Sequence, residues 1–158
     1  LKINDSGNLN LNASYTDVNL NDGQNIKADC NYGTLKFQKI NSLNGSGNYL
    51  TFIIGEISSN FSYDTNYSKI SIGTVTEKAG NITINSGYTD VTIGYVPNYV
   101  FDFDISGKYT NIKHDNSLEL SVTEIKSNSK RIAGFYKKKG QNKINITSNY
   151  GNVSLTKK

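Results

Sequence analysis

Several residue types that often identify a site or a fold are scarce in this chain. Its 158 residues include one cysteine, one proline and one histidine, and neither methionine nor tryptophan. A single cysteine, Cys30, excludes an internal disulfide. A single histidine, His114, excludes a metal site built on a histidine pair. No run of about 18 apolar residues occurs, so the sequence predicts no membrane-spanning helix.

Charge is also sparse, because charged residues make up only 19% of the chain and the net charge is +4. Residues 118–158 hold nine lysines and arginines against Glu119 and Glu124, whereas residues 1–117 carry a net charge of −3. A basic end can attract polyanions, but it can equally serve solubility and protect a terminal coil. The charge pattern alone therefore identifies no partner.

What the chain has in abundance is a repeat, clearest in residues 80–93, which read GNITINSGYTDVTI. Reduced to pattern, two alternating apolar residues precede a small residue and a tyrosine, and two more follow. The same pattern recurs around seven tyrosines at spacings of 17 to 21 residues, with one longer interval of 41. The tyrosines are Tyr15, Tyr32, Tyr49, Tyr67, Tyr88, Tyr109 and Tyr150. Repeats of this length indicate stacked units that share one core.

The apolar positions alternate strictly with polar ones, which is the period of a strand with one buried face. Numbered from the tyrosine, apolar residues stand at −6, −4, +3 and +5, and a small residue stands at −2. Constant unit length and constant residue type at each position favour a parallel stack over a sandwich of antiparallel hairpins. We therefore predict an all-β protein: a single-stranded, mainly parallel, right-handed β-solenoid (β-helix) of about eight coils of 17–21 residues.

We expect residues 1–158 to form a single domain, and the interval before Tyr150 to hold one coil that lacks its tyrosine and centres on Ser129. Leu1 and Ile3 match the end of a preceding coil, so we expect the first coil to be incomplete and the chain to be the C-terminal fragment of a longer solenoid. The repeat degenerates in residues 115–135, so the pattern does not define the path of this segment.

The seven tyrosines are predicted to form a structural ladder that lies inside the solenoid or at its corner, because position 0 shares the parity of the inward positions −6, −4 and −2. A bend just after each tyrosine would then reverse the inward phase. Any ligand surface is assigned instead to aromatic and basic residues off the ladder. These are Tyr95, Tyr99, Phe135, Tyr136, Lys137, Lys138 and Lys139.

Catalytic and cofactor sites are hard to place, and we predict no catalytic, metal or cofactor residues and no cofactor. His114 occupies an apolar column, which favours a wall residue over a general base. Cys30 occupies the small column, which favours a packing thiol over a reactive one. Polysaccharide-cleaving enzymes use paired carboxylates, and Asp102 and Asp104 form the closest such pair. Aspartates on a protein surface are, however, more often explained by capping of backbone groups and by solvation than by catalysis.

The motif of residues 80–93, repeated at 142–155, resembles bacterial adhesin-type domains of unknown function, the auto-transporter-adhesin-like group with a head GIN domain. The resemblance implies a parallel β-solenoid exported to the cell surface or periplasm, and it brings no catalytic motif. We therefore expect a non-catalytic adhesin-like module for binding or scaffolding. Its partner is open between a glycan and a surface protein, and nucleic acid is not expected. The alternative is a carbohydrate-binding or carbohydrate-cleaving β-helix.

Overall fold

The structure, a computed structural model, describes residues 1–158 as an all-β solenoid of mostly parallel strands that makes about five turns. It contains no helix long and apolar enough to cross a membrane. The first three strands are long, β1 Lys2–Ser14, β2 Val18–Asn31 and β3 Gly33–Asn48. The shorter strands that follow are β4 Leu50–Ile57, β5 Phe61–Asn66, β6 Lys69–Val75, β7 Ile82–Gly87, β8 Asp90–Tyr95, β9 Phe101–Lys108, β10 Asn111–His114, β11 Glu119–Ile125, β12 Ser129–Tyr136, β13 Asn142–Asn149 and β14 Asn152–Lys157.

Two faces of the solenoid meet at the tyrosines. The first face contains the segments that precede each tyrosine, and its strands are stacked in the order β1, β2, β3, β5, β7, β13, β9. The second face contains the segments that follow each tyrosine, in the order β1, β2, β3, β4, β6, β8, β14, β10. Strands β1 to β3 are long because each runs continuously across both faces.

The register follows the predicted columns. Ile82 pairs with Phe61 on one side and with Ile144 on the other, and Val91 pairs with Ile70 and Val153. Equivalent apolar residues thus stack between the faces and form one core cluster of 36 buried side chains. Each fully buried aliphatic side chain stabilises the fold by about 1.5–3 kcal/mol, so the continuous core is the main source of stability.

The spatial order departs from the chain order at the C-terminal end. Strands β13 and β14 lie between the level of β7–β8 and the level of β9–β10, so the last segment of the chain fills an internal level of the stack. The link between β8 and β9, residues 96–100, spans that level. Residues 142–155 carry the same motif as residues 80–93, and the structure places these two copies side by side.

Residues 115–135 do not form a coil. Strands β11 and β12 form an antiparallel hairpin, and β12 pairs antiparallel with β9, so the hairpin covers the end of the first face. The coil predicted around Ser129 is therefore corrected to a hairpin. Ser129 nevertheless occupies the next level of the stack, as predicted. The amide of each other ladder tyrosine bonds to the carbonyl of the residue just before the next tyrosine in the stack, and the amide of Tyr109 bonds in the same way to Asn128 O, just before Ser129, at 2.9 Å. The direction of the chain is reversed.

Candidate functional site

The ladder tyrosines form one continuous stack on the outside of the molecule. Neighbouring ring centroids are 4.6–5.1 Å apart and the rings are within 15° of parallel, which matches the spacing of stacked strands. The order along the stack is Tyr15, Tyr32, Tyr49, Tyr67, Tyr88, Tyr150, Tyr109. The side chains are 44–79% exposed. An inside position was therefore wrong, and the rings line an exposed corner.

The reason is the backbone conformation at each tyrosine. All seven have positive φ, from 49° to 59°, a left-handed conformation that L-residues adopt rarely. One such residue interrupts the alternation of the strand, so position −2 faces inward, the tyrosine faces outward and position +1 faces inward again. Ser86 and Thr89, on either side of Tyr88, are both buried. Phase reversal thus occurs at the tyrosine itself, which periodicity alone does not reveal.

Amide side chains beside the ladder link the coils. Asn31 Oδ1 accepts a hydrogen bond from the backbone amide of Asn48 at 2.9 Å, and Asn48 Oδ1 accepts one from the amide of Asn66 at 3.0 Å. The aspartates act in the same way, since Asp29 Oδ1 accepts from Ser46 N at 3.1 Å and Asp90 Oδ1 from Asn152 N at 3.0 Å. These carboxylates therefore satisfy backbone donors of the next coil.

Outward side chains of the first face border two shallow grooves along the stack. The polar groove, of about 610 Å³, lies next to the tyrosines and is lined only by polar residues and glycine, including Asp29, Asn48, Asp64 and Asn66. A second groove of about 550 Å³ lies farther from the tyrosines and includes Leu9, Ile26 and Leu43. Both volumes fall within the range of small-molecule sites, about 300–1,000 Å³. Their donors and acceptors suit a hydroxyl-rich ligand.

The ligand surface predicted off the ladder is not assembled. Tyr95, Tyr99 and Tyr136 are 0–3% exposed. Tyr95 and Tyr136 pack in edge contacts, with ring centroids 5.2 Å apart, and both contact Phe101. Their exposure was wrongly predicted, because these side chains fill the core where the β8–β9 link widens it. Phe135 is half-buried, and Lys137, Lys138 and Lys139 are exposed on the link to β13.

The hydroxyls of these buried tyrosines have structural partners. Tyr99 donates to Gly80 O at 2.7 Å and Tyr136 donates to Pro97 O at 3.0 Å. Tyr95 donates to the Asp115 carboxylate. Burial raises the pKa of Tyr95 and of Tyr99. The Tyr95 and Tyr99 hydroxyls therefore stay protonated, and the hydrogen bonds of all three tyrosines help to close the core.

Asp115 organises the end of the second face. Its carboxylate also accepts from the hydroxyl and the amide of Ser117, and from Lys157 N at 3.0 Å. Burial opposes its ionisation, but these hydrogen bonds together lower the pKa of Asp115. The charged form is the one that fits the site, and it ties β14 to the turn after β10.

The predicted carboxylate pair consists of two differently engaged groups. Asp104 accepts hydrogen bonds from Arg131 Nε at 3.0 Å and Nη2 at 2.9 Å, and this contact lowers the pKa of Asp104. Asp102 accepts from Gly140 N at 3.1 Å. Gly140 has a φ of +83°, which favours glycine. The pair therefore anchors the hairpin and the β12–β13 link.

Cys30 and His114 are the only cysteine and the only histidine of the chain, and both lie in surroundings typical of structural residues. Cys30 is buried in the small column, and its burial raises the pKa of the thiol, which disfavours a reactive thiolate. His114 Nδ1 lies 2.9 Å from Asp115 O. No group of three or more histidine, cysteine or acidic side chains is placed to hold a metal ion.

The strongest candidate that sequence reasoning missed lies where the ladder ends. Tyr109 stacks on Tyr150 on one side, and on its other side a hollow of about 180 Å³ is bordered by residues 126–130, among them Lys126 and Lys130. The signal was present in the sequence as the interval of 41 residues between Tyr109 and Tyr150, which marks a level without a tyrosine.

The chain was compared with protein-family models, with curated proteins and with solved structures. No protein-family model, no curated protein and no solved structure matches the chain.

Proposed function

We propose that the chain is a non-catalytic, adhesin-like binding module whose contact surface is the first face together with the exposed tyrosine ladder. One observation supports this most directly: seven tyrosines are held outward in a single stack although each needs an unfavourable left-handed backbone. A core could be closed at lower cost by glycine or asparagine at these positions. The outward aromatic column is thus better explained by contact with a partner.

The chemistry of the face favours a glycan as that partner, with a surface protein as the second candidate. Tyrosine gives large contact area with little loss of side-chain entropy and is enriched at interfaces. The adjacent polar groove offers asparagine, serine and threonine groups that can bond to sugar hydroxyls. Binding without cleavage is favoured because Asp102 and Asp104 both have structural partners.

The test is a binding screen of the purified chain against a glycan panel and a panel of extracellular proteins. A triple variant, Tyr49→Asn, Tyr67→Asn and Tyr88→Asn, removes three rings with a residue that tolerates the left-handed backbone. The matched triple phenylalanine variant keeps the rings and removes only the hydroxyls. We expect the asparagine variant to lose binding by at least about tenfold, since the exposed edges and hydroxyls of three rings are removed. Absence of binding to every panel member, or equal binding by the folded asparagine variant, would overturn the proposal.

Export to the cell surface or periplasm is part of the same proposal, as an adhesin-like role requires it. Immunoblotting of fractionated cells that make the full-length protein tests it, and recovery only in the cytoplasmic fraction would contradict it. We also infer right-handed winding, because parallel crossovers are nearly always right-handed, and about eight coils when the level of β12 is counted. An experimental structure would check both.

A further inference from the structure

We infer that the hollow at the end of the tyrosine ladder is a binding site for one anionic sugar ring, such as a uronic acid residue at the end of a glycan. This inference rests on the proposed function and names its ligand class and location. The site, called the ladder-end site below, consists of Tyr109, Lys126, Ser127, Asn128, Ser129 and Lys130.

The first step is the free face of Tyr109. Every ladder tyrosine between the two ends has a ring on both sides, at 4.6–5.1 Å, so only its edge and hydroxyl are open. Tyr109 has one neighbouring ring, that of Tyr150 at 4.9 Å, and remains 58% exposed. A sugar ring can therefore pack on a free aromatic face only at the end tyrosines, Tyr109 and Tyr15, whereas the inner tyrosines offer their edges and hydroxyls to a ligand.

The second step is the shape of the space beyond that face. The Tyr109 amide bonds to Asn128 O, so the next position of the ladder belongs to Ser129. Serine there leaves a hollow of about 180 Å³ where a further tyrosine ring would continue the stack. This volume is below the roughly 300 Å³ at which drug-sized sites begin, and it suits a single ring.

The third step is charge. Lys126 and Lys130 border the hollow, and neither forms an ion pair with a carboxylate of the chain. An adjoining hollow of about 270 Å³ shares both lysines and adds Lys108, Arg131 and Glu124. Arg131 is paired with Asp104 at 2.9 Å and with Glu124 at 3.9 Å, so the lysines remain the unpaired charges. Unpaired ammonium groups beside an aromatic face favour an anionic ring over a neutral one.

The fourth step separates an acidic glycan from nucleic acid, which also combines bases that stack with negative charge. A nucleic acid strand needs a basic track for its backbone. The first face instead carries Asp29 and Asp64 beside the ladder, and residues 1–117 are net negative. A strand lying along the ladder would meet these carboxylates. A single anionic unit at the end of a glycan would not.

The experiment is a calorimetric titration of the full chain with trigalacturonate, with neutral galactotriose and with a short oligothymidylate. Two site variants are compared: Tyr109→Ala, and Lys126→Gln with Lys130→Gln. The matched controls are Tyr15→Ala, which removes the other end ring far from these lysines, and Lys137→Gln with Lys138→Gln, which removes the same charge elsewhere. Lys126 is exposed and Lys130 is half-buried, and neither forms an ion pair, so the lysine variant keeps the test decisive if Tyr109→Ala fails to fold.

We expect trigalacturonate to bind, galactotriose to bind at least about tenfold more weakly, and each site variant to lose about tenfold in affinity. Both control variants should bind like the parent. Equal loss in site and control variants, preference for the oligothymidylate, or no discrimination against galactotriose would overturn the inference. If trigalacturonate does not bind but the glycan or protein screen above gives ligands, the inference fails and the proposed function stands. If no ligand binds in either experiment, both fail.

Discussion

The exposed tyrosine in a left-handed conformation is the residue that shapes this fold. It turns the chain between two faces, reverses the inward phase and places its own ring on the ladder. Stacking at 4.6–5.1 Å offsets part of the backbone cost, because aromatic pairs contribute about 0.5–1.5 kcal/mol beyond buried area. Side chains at this position should therefore be limited by backbone conformation as much as by contacts.

Substitution of Tyr67 tests that balance. Tyr67→Val and Tyr67→Asn both remove a ring stacked on two neighbours, but valine is β-branched and disfavours the φ of 55° found here. We expect the valine variant to be less stable than the asparagine variant by about 1–2 kcal/mol. Urea denaturation followed by circular dichroism measures the difference. Equal stability of the two variants would contradict a backbone cost at this position.

A second residue-scale prediction concerns the hydroxyl of Tyr63, which is buried without a hydrogen-bond partner. Burial also raises the pKa of this hydroxyl. Removing an unsatisfied buried group recovers its desolvation penalty, so Tyr63→Phe should raise the free energy of unfolding by about 1 kcal/mol. Urea denaturation is the measurement.

The matched control is Tyr99→Phe, whose lost hydroxyl donates to Gly80 O at 2.7 Å. That variant should be less stable than the parent by about 1 kcal/mol, because it leaves a carbonyl unpaired. If both variants are destabilised equally, Tyr63 has a partner, such as a buried water.

At the scale of elements, the hairpin β11–β12 covers what would otherwise be an open strand edge at β9. Open edges invite pairing with other chains, and the hairpin makes β11 the outer edge, where the charged Glu119 and Glu124 discourage such pairing. The hairpin is attached by backbone pairing and by the two hydrogen bonds from Arg131 to Asp104. Its attachment should therefore depend on pH.

The direction of this pH dependence follows from the pKa of Asp104, which the hydrogen bonds from Arg131 lower in the folded protein. The contact stabilises the fold above the unfolded pKa of about 3.9, and this contribution is lost as pH falls through the folded pKa. We expect the free energy of unfolding to fall on acidification below about pH 4, less steeply in Asp104→Asn than in the parent. Urea denaturation between pH 7 and pH 2 gives both slopes.

The exposed side chain of Asp22 forms no ion pair and no side-chain hydrogen bond, and it provides the control. Asp22→Asn should keep the pH dependence of the parent. Some dependence should remain in Asp104→Asn, because hydrogen bonds also lower the pKa of Asp115. Identical slopes for the parent and Asp104→Asn would show that the hairpin contact does not contribute.

At the scale of the molecule, the C-terminal segment is an integral part of the stack. Strand β13 pairs with β7 and β9, and β14 pairs with β8 and β10, so residues 142–157 are bonded on both sides. Leu155, Ile146 and Ile144 are buried in the common core. The segment should therefore stay in place even when its covalent link is cut.

Limited trypsin digestion tests this, because Lys137, Lys138 and Lys139 lie on the exposed link between β12 and β13. We expect an early cut at this link and co-elution of the two fragments in gel filtration, with separation only in denaturant. A variant with glutamine at all three lysines should resist the early cut. Release of the C-terminal peptide from the cut protein in native buffer would contradict the internal position of β13 and β14.

The sequence predicted which residues share a column of this solenoid, but it did not predict the order in which the coils stack. Apolar alternation placed Ile82, Ile84, Val91 and Ile93 in the core, where they lie. Periodicity does not state which unit follows which in space, and so the inserted last unit was missed.

The site was predicted less completely, for two physical reasons. Parity counting assumes extended backbone throughout, so it placed the tyrosines inward when a left-handed residue turns them out. Residue type also says little about exposure, so Tyr95 and Tyr99 were assigned to a surface although the wide β8–β9 link buries them. The ladder-end site required the hairpin, whose reversed direction no repeat pattern specifies.

The inserted C-terminal segment has a consequence for the timing of synthesis. A ribosome makes residues 101–136 before the strands that separate them from residues 82–95 exist. The first five levels can stack as they emerge, since their pairings join residues 17 to 21 positions apart. The pairing of Asn152 with Asn111 spans 41 positions, and that of Val153 with Val91 spans 62. This end of the solenoid can therefore close only after residues 142–157 have been made, and until then the newborn chain most needs protection from other chains.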